Sequence, residues 1–322
     1  MRRSYRGALE ELDELARKCK EEDTKTVHKP KLRAKSVLCA MPTPPRFPVS
    51  ALAASASITD AASAHWKEYL MEGTELGALM LATCLVGTLI YSDESFFKSL
   101  ALSAVSKSTM MGIAIAMTTF MIIRSPFGRR SGAHLNPSIT LTYFWLGRVH
   151  RWDAAWYVVA HFAGAVAGVL IARQILGLRL SASSVRYMVT VPGEHGSAIT
   201  FVGEFLLSAF LMATILYSSN HRLLVRFTPV LVAILTILFF VLSPSRSGFS
   251  VNPARSFSSA LFAWIWKGVW IYFSAPLLGM LAAATIYNKT VGLNRVYCAK
   301  VFHDMKSPCP FRCQFEHVYE ET

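Results

Sequence analysis

Long apolar runs separated by short polar stretches dominate the chain from residue 74 to residue 287. Thr74–Tyr91, Thr109–Ile123, Ala154–Leu176, Ile199–Tyr217, Phe227–Leu242 and Val269–Tyr287 each hold few charges. Each approaches the roughly 20 apolar residues that a helix needs to cross a hydrocarbon core about 30 Å thick. Most lack the polar stripe at helical period that a helix of a soluble protein carries. The pattern predicts an all-α membrane protein with six transmembrane helices and argues against a soluble enzyme with a large core.

The six runs form two groups of three. Each group starts with a helix carrying an acid within the apolar run, Glu75 in TELGALM and Glu204 in GEFLLSAF. Each then has a second apolar run and an Asn-Pro pair, in GAHLNPSIT (132–140) and GFSVNPARS (248–256). The segments after these pairs, LTYFWLG and SSALFAW, are too short to span a bilayer and read as re-entrant half-helices. An odd number of spans per copy forces the two copies into opposite orientations. That is an inverted repeat, with a pathway expected at the midplane between the copies.

Asn is a favoured N-cap and Pro a favoured first helical residue. Asn136-Pro137 and Asn252-Pro253 therefore mark the starts of the two half-helices. In an inverted repeat these starts face each other. Each brings the positive pole of a helix dipole, equivalent to roughly half an elementary charge. Two such poles oppose cations and protons, while the Asn amides offer neutral donors to a small uncharged molecule. Arg255, one turn past Asn252, can face the same lumen. A guanidinium at membrane depth is costly unless it meets water or a partner.

Charge adds an orientation. The chain of 322 residues is 53% hydrophobic with a formal net charge of +13, and its mean hydropathy is +0.37. The first 47 residues hold twelve Lys and Arg against seven acids and no apolar signal-peptide core. This stretch reads as a cytoplasmic tail drawn to anionic lipid. A short helix at Gly7–Lys20 is expected within it. Nothing supports nucleic-acid binding beyond the charge itself. Arg124, Arg129, Arg130, Arg148, Arg151, Arg222 and Arg226 fall on the same side as the tails, against Lys98, Lys107, Arg179, Arg186, Arg246 and Lys267 on the other. Both termini are expected in the cytoplasm. The expected division is a basic, largely disordered cytoplasmic tail over 1–65, a channel domain over 66–290 with repeats at about 70–150 and 198–290, and a Cys/His-containing cytoplasmic tail over 291–322.

The paired motifs resemble those of the aquaporins, the major intrinsic protein family. SGAHLNPSIT (131–140) is similar to the first family signature, with Ser138 where Ala is usual, and SVNPARSF (250–257) matches the second. The resemblance covers about residues 70–290. It implies six tilted helices plus two half-helices in the plasma membrane, usually as a homotetramer with one pore per subunit. It assigns Asn136 and Asn252 as central donors, Arg255 as the selectivity-filter arginine and His134 as a lumen-side histidine. It makes Glu75 and Glu204 the buried acids that hold the loop backbones. His161 stands where the family often has Gln and reads as a helix–helix polar contact.

Counting back from Asn252 without gaps puts Phe240 at the fifth-helix filter position; a gap near Pro244 shifts it to Phe239. Phe249 matches an aromatic common in glycerol filters. SPFGRR (125–130) resembles an insertion, which leaves Met111 or Ala116 for the second-helix position. An apolar wall beside Arg255 suits a solute with carbon groups or a narrow water pore. Ser256, Ala260 and Tyr272-Phe273 match water channels instead. The expected function is a passive water channel, with glycerol or hydrogen peroxide as the alternative solute. The Ser138 variation is expected to alter conduction little.

Cys19 and Cys39 lie in the basic tail and Cys84 in the first span. The stretch CAKVFHDMKSPCPFRCQFEH supplies Cys298, His303, Cys309, Cys313 and His317. These are zinc-compatible ligand types in a segment expected to face a compartment where disulfides are disfavoured. The spacing is irregular, so no cofactor is expected, with zinc on this tail as the alternative. A coupled transporter also uses inverted repeats and broken helices, but needs an ionisable group in its path. No nucleophile–base set or phosphate loop points to an enzyme.

Overall fold

The computed structural model describes residues 57–242, 248–304, 306–311 and 313–316. The helix expected at Gly7–Lys20, the possible gap at Pro244 and His317 lie outside these residues. Among the described residues, six helices are long and apolar enough to cross a membrane. They are α1 (Ile58–Tyr91), α2 (Ala104–Arg124), α4 (Arg151–Leu176), α5 (Gly196–Ser219), α6 (Thr228–Leu242, which a turn at Val225–Phe227 lengthens to a span of 18 residues) and α8 (Val269–Thr290). Two short helices, α3 (Pro137–Trp145) and α7 (Pro253–Ala263), follow the Asn-Pro pairs. The expected six spans and two half-helices are all present.

The first helix differs from expectation. The 34 residues of α1 reach about 51 Å at 1.5 Å per residue, well beyond the hydrocarbon core. Ser57 caps it reciprocally with Asp60, and the helix kinks at His65. The tail expected to run to residue 65 therefore ends sooner. The extra turns are held by polar contacts. His65 Nδ1 lies 2.8 Å from Asp153, whose carboxylate also accepts from the Tyr69 hydroxyl at 2.6 Å. Arg130 pairs with Glu68 at 2.7 Å.

Helix pairing repeats in the two halves: α1 packs along α4, α5 along α8, and α2 against α6 across the halves. Lipid gives no hydrophobic force between helices, so close approach of small residues carries the packing. Gly73 and Gly77 on α1 meet Ala160, Gly164 and Gly168 on α4. A methyl group on Gly164 would stand 1.9 Å from the Gly73 carbonyl oxygen. Gly279 on α8 plays the same part against the Phe205 carbonyl of α5.

The segment after α8 folds back against the bundle rather than leaving it. Tyr297, Cys298, Ala299, Val301 and Phe311 join one core cluster with residues of α1, α3, α4, α5 and α8. The Tyr297 amide donates to Asn220 Oδ1 at 2.8 Å. Arg148 donates to Gln314 Oε1 at 2.9 Å.

Gly164→Leu should separate α1 from α4 and destabilise the fold by more than the ~1–3 kcal/mol usual for overpacking. The check is thermal unfolding in detergent with size-exclusion profiles: a sharp loss of monodisperse protein is expected for Gly164→Leu and a smaller loss for Gly164→Ala.

Candidate functional site

The two half-helices start against each other. Asn136 caps α3, its Oδ1 accepting from the Ser138 amide at 2.9 Å. Asn252 caps α7, accepting from Ala254 and Arg255 at 3.0 and 3.3 Å. Each caps with its oxygen and reaches across the repeat with its nitrogen. Asn136 Nδ2 donates to the Val251 carbonyl and Asn252 Nδ2 to the Leu135 carbonyl, both at 2.7 Å. Each amide NH₂ carries two donors, so one remains for a molecule in the lumen.

The loops before the caps carry matched strain. Ala133 and Leu135 have positive φ (53° and 54°), as do Phe249 and Val251 (46° and 49°). Non-glycine residues held in this region cost of order 1–3 kcal/mol each. A buried carboxylate offsets the cost in each copy. Glu72 accepts from the His134 and Leu135 amides, both at 2.9 Å. Glu204 accepts from the Ser250 and Val251 amides at 3.0 and 2.7 Å. Hydrogen bonds to a charged acceptor contribute about 1.5–3 kcal/mol each. His161 completes the first site, its Nε2 donating to Glu72 at 2.8 Å.

Two cavities lie along the axis. The central one, about 110 Å³, is lined by Asn136, Asn252 and apolar side chains including Leu79, Leu211 and Ile115. The second, about 190 Å³, lies beside it toward the face opposite the C-terminal segment, with Tyr91, Ser108, Met111 and Thr190 in its wall. Phe240, Phe249 and Arg255 border both. Arg255 Nη1 is buried and has no hydrogen-bond partner among the described residues. Gly112 brings α6 close: a methyl there would meet the Phe240 Cβ at 2.9 Å. Phe240 then packs edge-on to Phe249 at 4.7 Å.

The model of the family described as major intrinsic protein matches residues 60–287. The chain belongs to the major intrinsic protein family. Aquaporin NIP1-1 of Arabidopsis thaliana is 30% identical over 56% of this chain and 62% of its own. Aquaporin Z of Rhodopseudomonas palustris is 29% identical over 60% of this chain and 81% of its own. The solved aquaglyceroporin from Plasmodium falciparum superposes with a TM-score of 0.58 at 16% identity, over 72% of this chain and 98% of that one. The match to NIP1-1 thus spans less than two thirds of that relative's length. At that identity the superposition bears on fold alone, and the fold is aquaporin-like.

This major intrinsic protein departs from its sequence reading at two positions, Glu75 and His134. Glu75 does not reach the loop amides; it accepts from the Ser131 hydroxyl at 3.2 and 3.3 Å, one step back. Glu72 holds the position that Glu204 holds in the second copy. The two acids sit one turn apart on α1, so both point toward the loop and only distance separates them. A signal was present: Leu79-Met80 follows Glu72 by seven and eight residues, as Leu211-Met212 follows Glu204. His134 borders the central cavity but offers it no free ring nitrogen. Nδ1 lies 2.8 Å from Thr140 Oγ1, and Nε2 donates to the Ala299 carbonyl at 2.7 Å. Of the two second-helix candidates, Met111 lines the second cavity and Ala116 lines neither. Phe239 packs behind Phe249 rather than along the lumen.

The C-terminal candidates come together. The donor atoms of Cys298, His303, Cys309 and Cys313 lie within 4.8 Å of one another. Burial pushes the Cys298 thiol well above its ordinary range, while thiol hydrogen bonds from Cys298 and Cys309 hold Cys313 below it.

Glu72→Gln should weaken two charge-assisted bonds and lower stability by about 2–4 kcal/mol. Glu75→Gln should cost about 1 kcal/mol or less, because a neutral amide still accepts from Ser131. Thermal melts of both variants in the same detergent check the order.

Proposed function

We propose that this protein is a passive channel for water. The observation that carries the reading is the pair of opposed Asn-capped helix starts, cross-tied at 2.7 Å in both directions. Their positive poles oppose cations and protons entering the midplane. The remaining Asn donors orient a water molecule passing between them. Arg255 adds a fixed positive charge at the join of the two cavities. A cavity of about 110 Å³ accommodates a short file of waters, each of which takes about 30 Å³ in the liquid.

A second reading has its own observation. Met111, Phe240 and Phe249 make an apolar wall opposite Arg255. Such a wall suits the carbon face of glycerol while the guanidinium meets its hydroxyls; hydrogen peroxide is a further neutral candidate. Ser256 and Ala260 at the second half-helix, and Tyr272 behind it, favour water. The family resemblance to relatives printed as aquaporins supports a channel in general.

We further assign the face carrying the C-terminal segment to the cytoplasm. Arg124, Arg129, Arg130, Arg148 and Arg151 end or join helices there, and short basic loops stay on that side. The plasma membrane and a homotetramer follow from family habit. Glu72, Glu75 and Glu204 serve as loop supports, which leaves no acid lining either cavity among the described residues for proton or sodium coupling and disfavours a transporter.

Stopped-flow light scattering on proteoliposomes tests this. Fast shrinkage against an impermeant osmolyte with slow glycerol re-swelling is expected; fast re-swelling would favour the second reading, and neither would strike the channel itself. Arg255→Val should speed glycerol entry roughly tenfold, the effect of lowering a barrier by about 1.4 kcal/mol. An unchanged glycerol rate would remove Arg255 from the filter.

A further inference from the structure

Residues 296–316 contain no helix or strand among those described, yet most of the described residues there are buried or half-buried. A segment without backbone ladders needs other cross-links to hold one shape. Few main-chain bonds tie it. The Val301 amide donates to the Gly132 carbonyl at 2.9 Å and the Gln314 amide to the Tyr297 carbonyl at 2.7 Å. Within it, Cys298 Sγ and Cys309 Sγ are 3.4 Å apart, and His303 Nε2 lies 3.1 Å from Cys313 Sγ. His303 stacks on Phe315 with centroids 4.2 Å apart, which fixes the ring.

Four donors gathered in this way match a tetrahedral metal site. Zinc–sulfur bonds of about 2.3 Å place sulfurs about 3.8 Å apart around the ion, inside the observed 4.8 Å spread. A mixed set of three thiolates and one imidazole suits zinc over hard cations, which take oxygen. The sequence order is Cys-x₄-His-x₅-Cys-x₃-Cys; the final pair has the spacing of many structural zinc units. A second observation agrees. The Lys300 ammonium is buried, at 1% exposure. It donates to the Arg129 and Pro308 carbonyls at 2.5 and 2.7 Å and forms no ion pair among the described residues. Zinc with three thiolates and a histidine carries one net negative charge, which would compensate this buried cation.

The segment also meets the pore. Ala299 accepts from His134, in the strained loop that leads to Asn136. Val301 lines the central cavity at its end. Phe311 stacks on His134 at 5.2 Å, and a methyl on Gly132 would meet the Phe311 ring at 2.7 Å.

We propose that Cys298, His303, Cys309 and Cys313 bind one zinc ion, and that this ion pins Val301 at the central cavity and Phe311 against His134 on the C-terminal face. Binding converts thiols to thiolates and releases their protons to solvent, with no redox change. Losing the ion frees the segment and opens the mouth. The gating half rests on the channel reading above; the metal half does not.

The test uses the full-length protein purified in detergent. Elemental analysis should find one zinc per chain in the native protein and in Cys39→Ser, and much less in Cys309→Ser and Cys313→Ser. Native protein stripped by a chelator and reloaded with cobalt(II) should show the visible bands of a tetrahedral cobalt–thiolate site, which needs no variant to fold. Absence of zinc and of cobalt bands overturns the site, as does loss of two titratable thiols to a disulfide. Hydrogen exchange at the Val301 amide should quicken on chelation; unchanged exchange overturns the pinning. In proteoliposomes, chelation should raise water permeability several-fold and zinc should reverse it. Permeability that is high with and without the ion overturns the gate alone. Permeability absent in both states counts against the channel reading as well, while the metal content still decides the site.

Discussion

Two buried carboxylates hold the centre of this molecule together. Glu72 and Glu204 each accept two consecutive loop amides, one and two residues before the capping Asn. Those loops contain non-glycine residues with positive φ at matching places, a conformation that an unsupported chain would abandon. Held there, they bring the starts of α3 and α7 face to face. Without the carboxylates, neither the Asn cross-ties nor the opposed dipoles would keep their positions. A charge buried this deeply is itself costly and is tolerated because several donors surround it.

The rest of the bundle serves that arrangement. Glycines at the α1–α4 and α5–α8 crossings let backbones touch, which sets where Glu72 and Glu204 point. Gly112 does the same between α2 and α6 and carries Phe240 to Phe249. The Phe240–Phe249 wall and the Arg255 nitrogen that lacks a hydrogen-bond partner among the described residues thus border the same two cavities.

The face bearing the C-terminal segment is built differently from the opposite one. The SPFGRR stretch forms a short helix, Pro126–Ser131, capped by Ser125 and ended by Gly132 with φ 112°. It delivers Arg130 to Glu68 and Arg129 to Asp304 at 2.7 and 3.1 Å. Hydrogen bonds from Ser307 and the charge of Arg129 outweigh partial burial and hold the Asp304 carboxyl below its ordinary range. The same loop that begins the first half-helix is therefore tied to the C-terminal segment at Asp304. Conformation at this mouth and conformation of the C-terminal segment are mechanically one matter.

The sequence by itself determined the membrane class, the six spans, the inverted repeat and both half-helices. Apolar length and the Asn-Pro capping signal are local properties, readable wherever they occur. It also marked the capping positions of Asn136 and Asn252 and the lone acid Glu204 that reaches the second loop, because each stands at a fixed short spacing or alone in its span. Only tertiary structure chose Glu72 over Glu75, since two acids one helical turn apart share a face and differ only in reach. It alone placed Met111 rather than Ala116 in the wall, because the extra short helix hides the register between α2 and Asn136. It engaged both ring nitrogens of His134, at Thr140 and, from a segment more than 160 residues later, at the Ala299 carbonyl, leaving none free for the cavity that the ring borders. And it gathered Cys298, His303, Cys309 and Cys313, whose irregular spacing says little until the chain folds back on itself. Local signals survive in one dimension; contacts made across the fold do not.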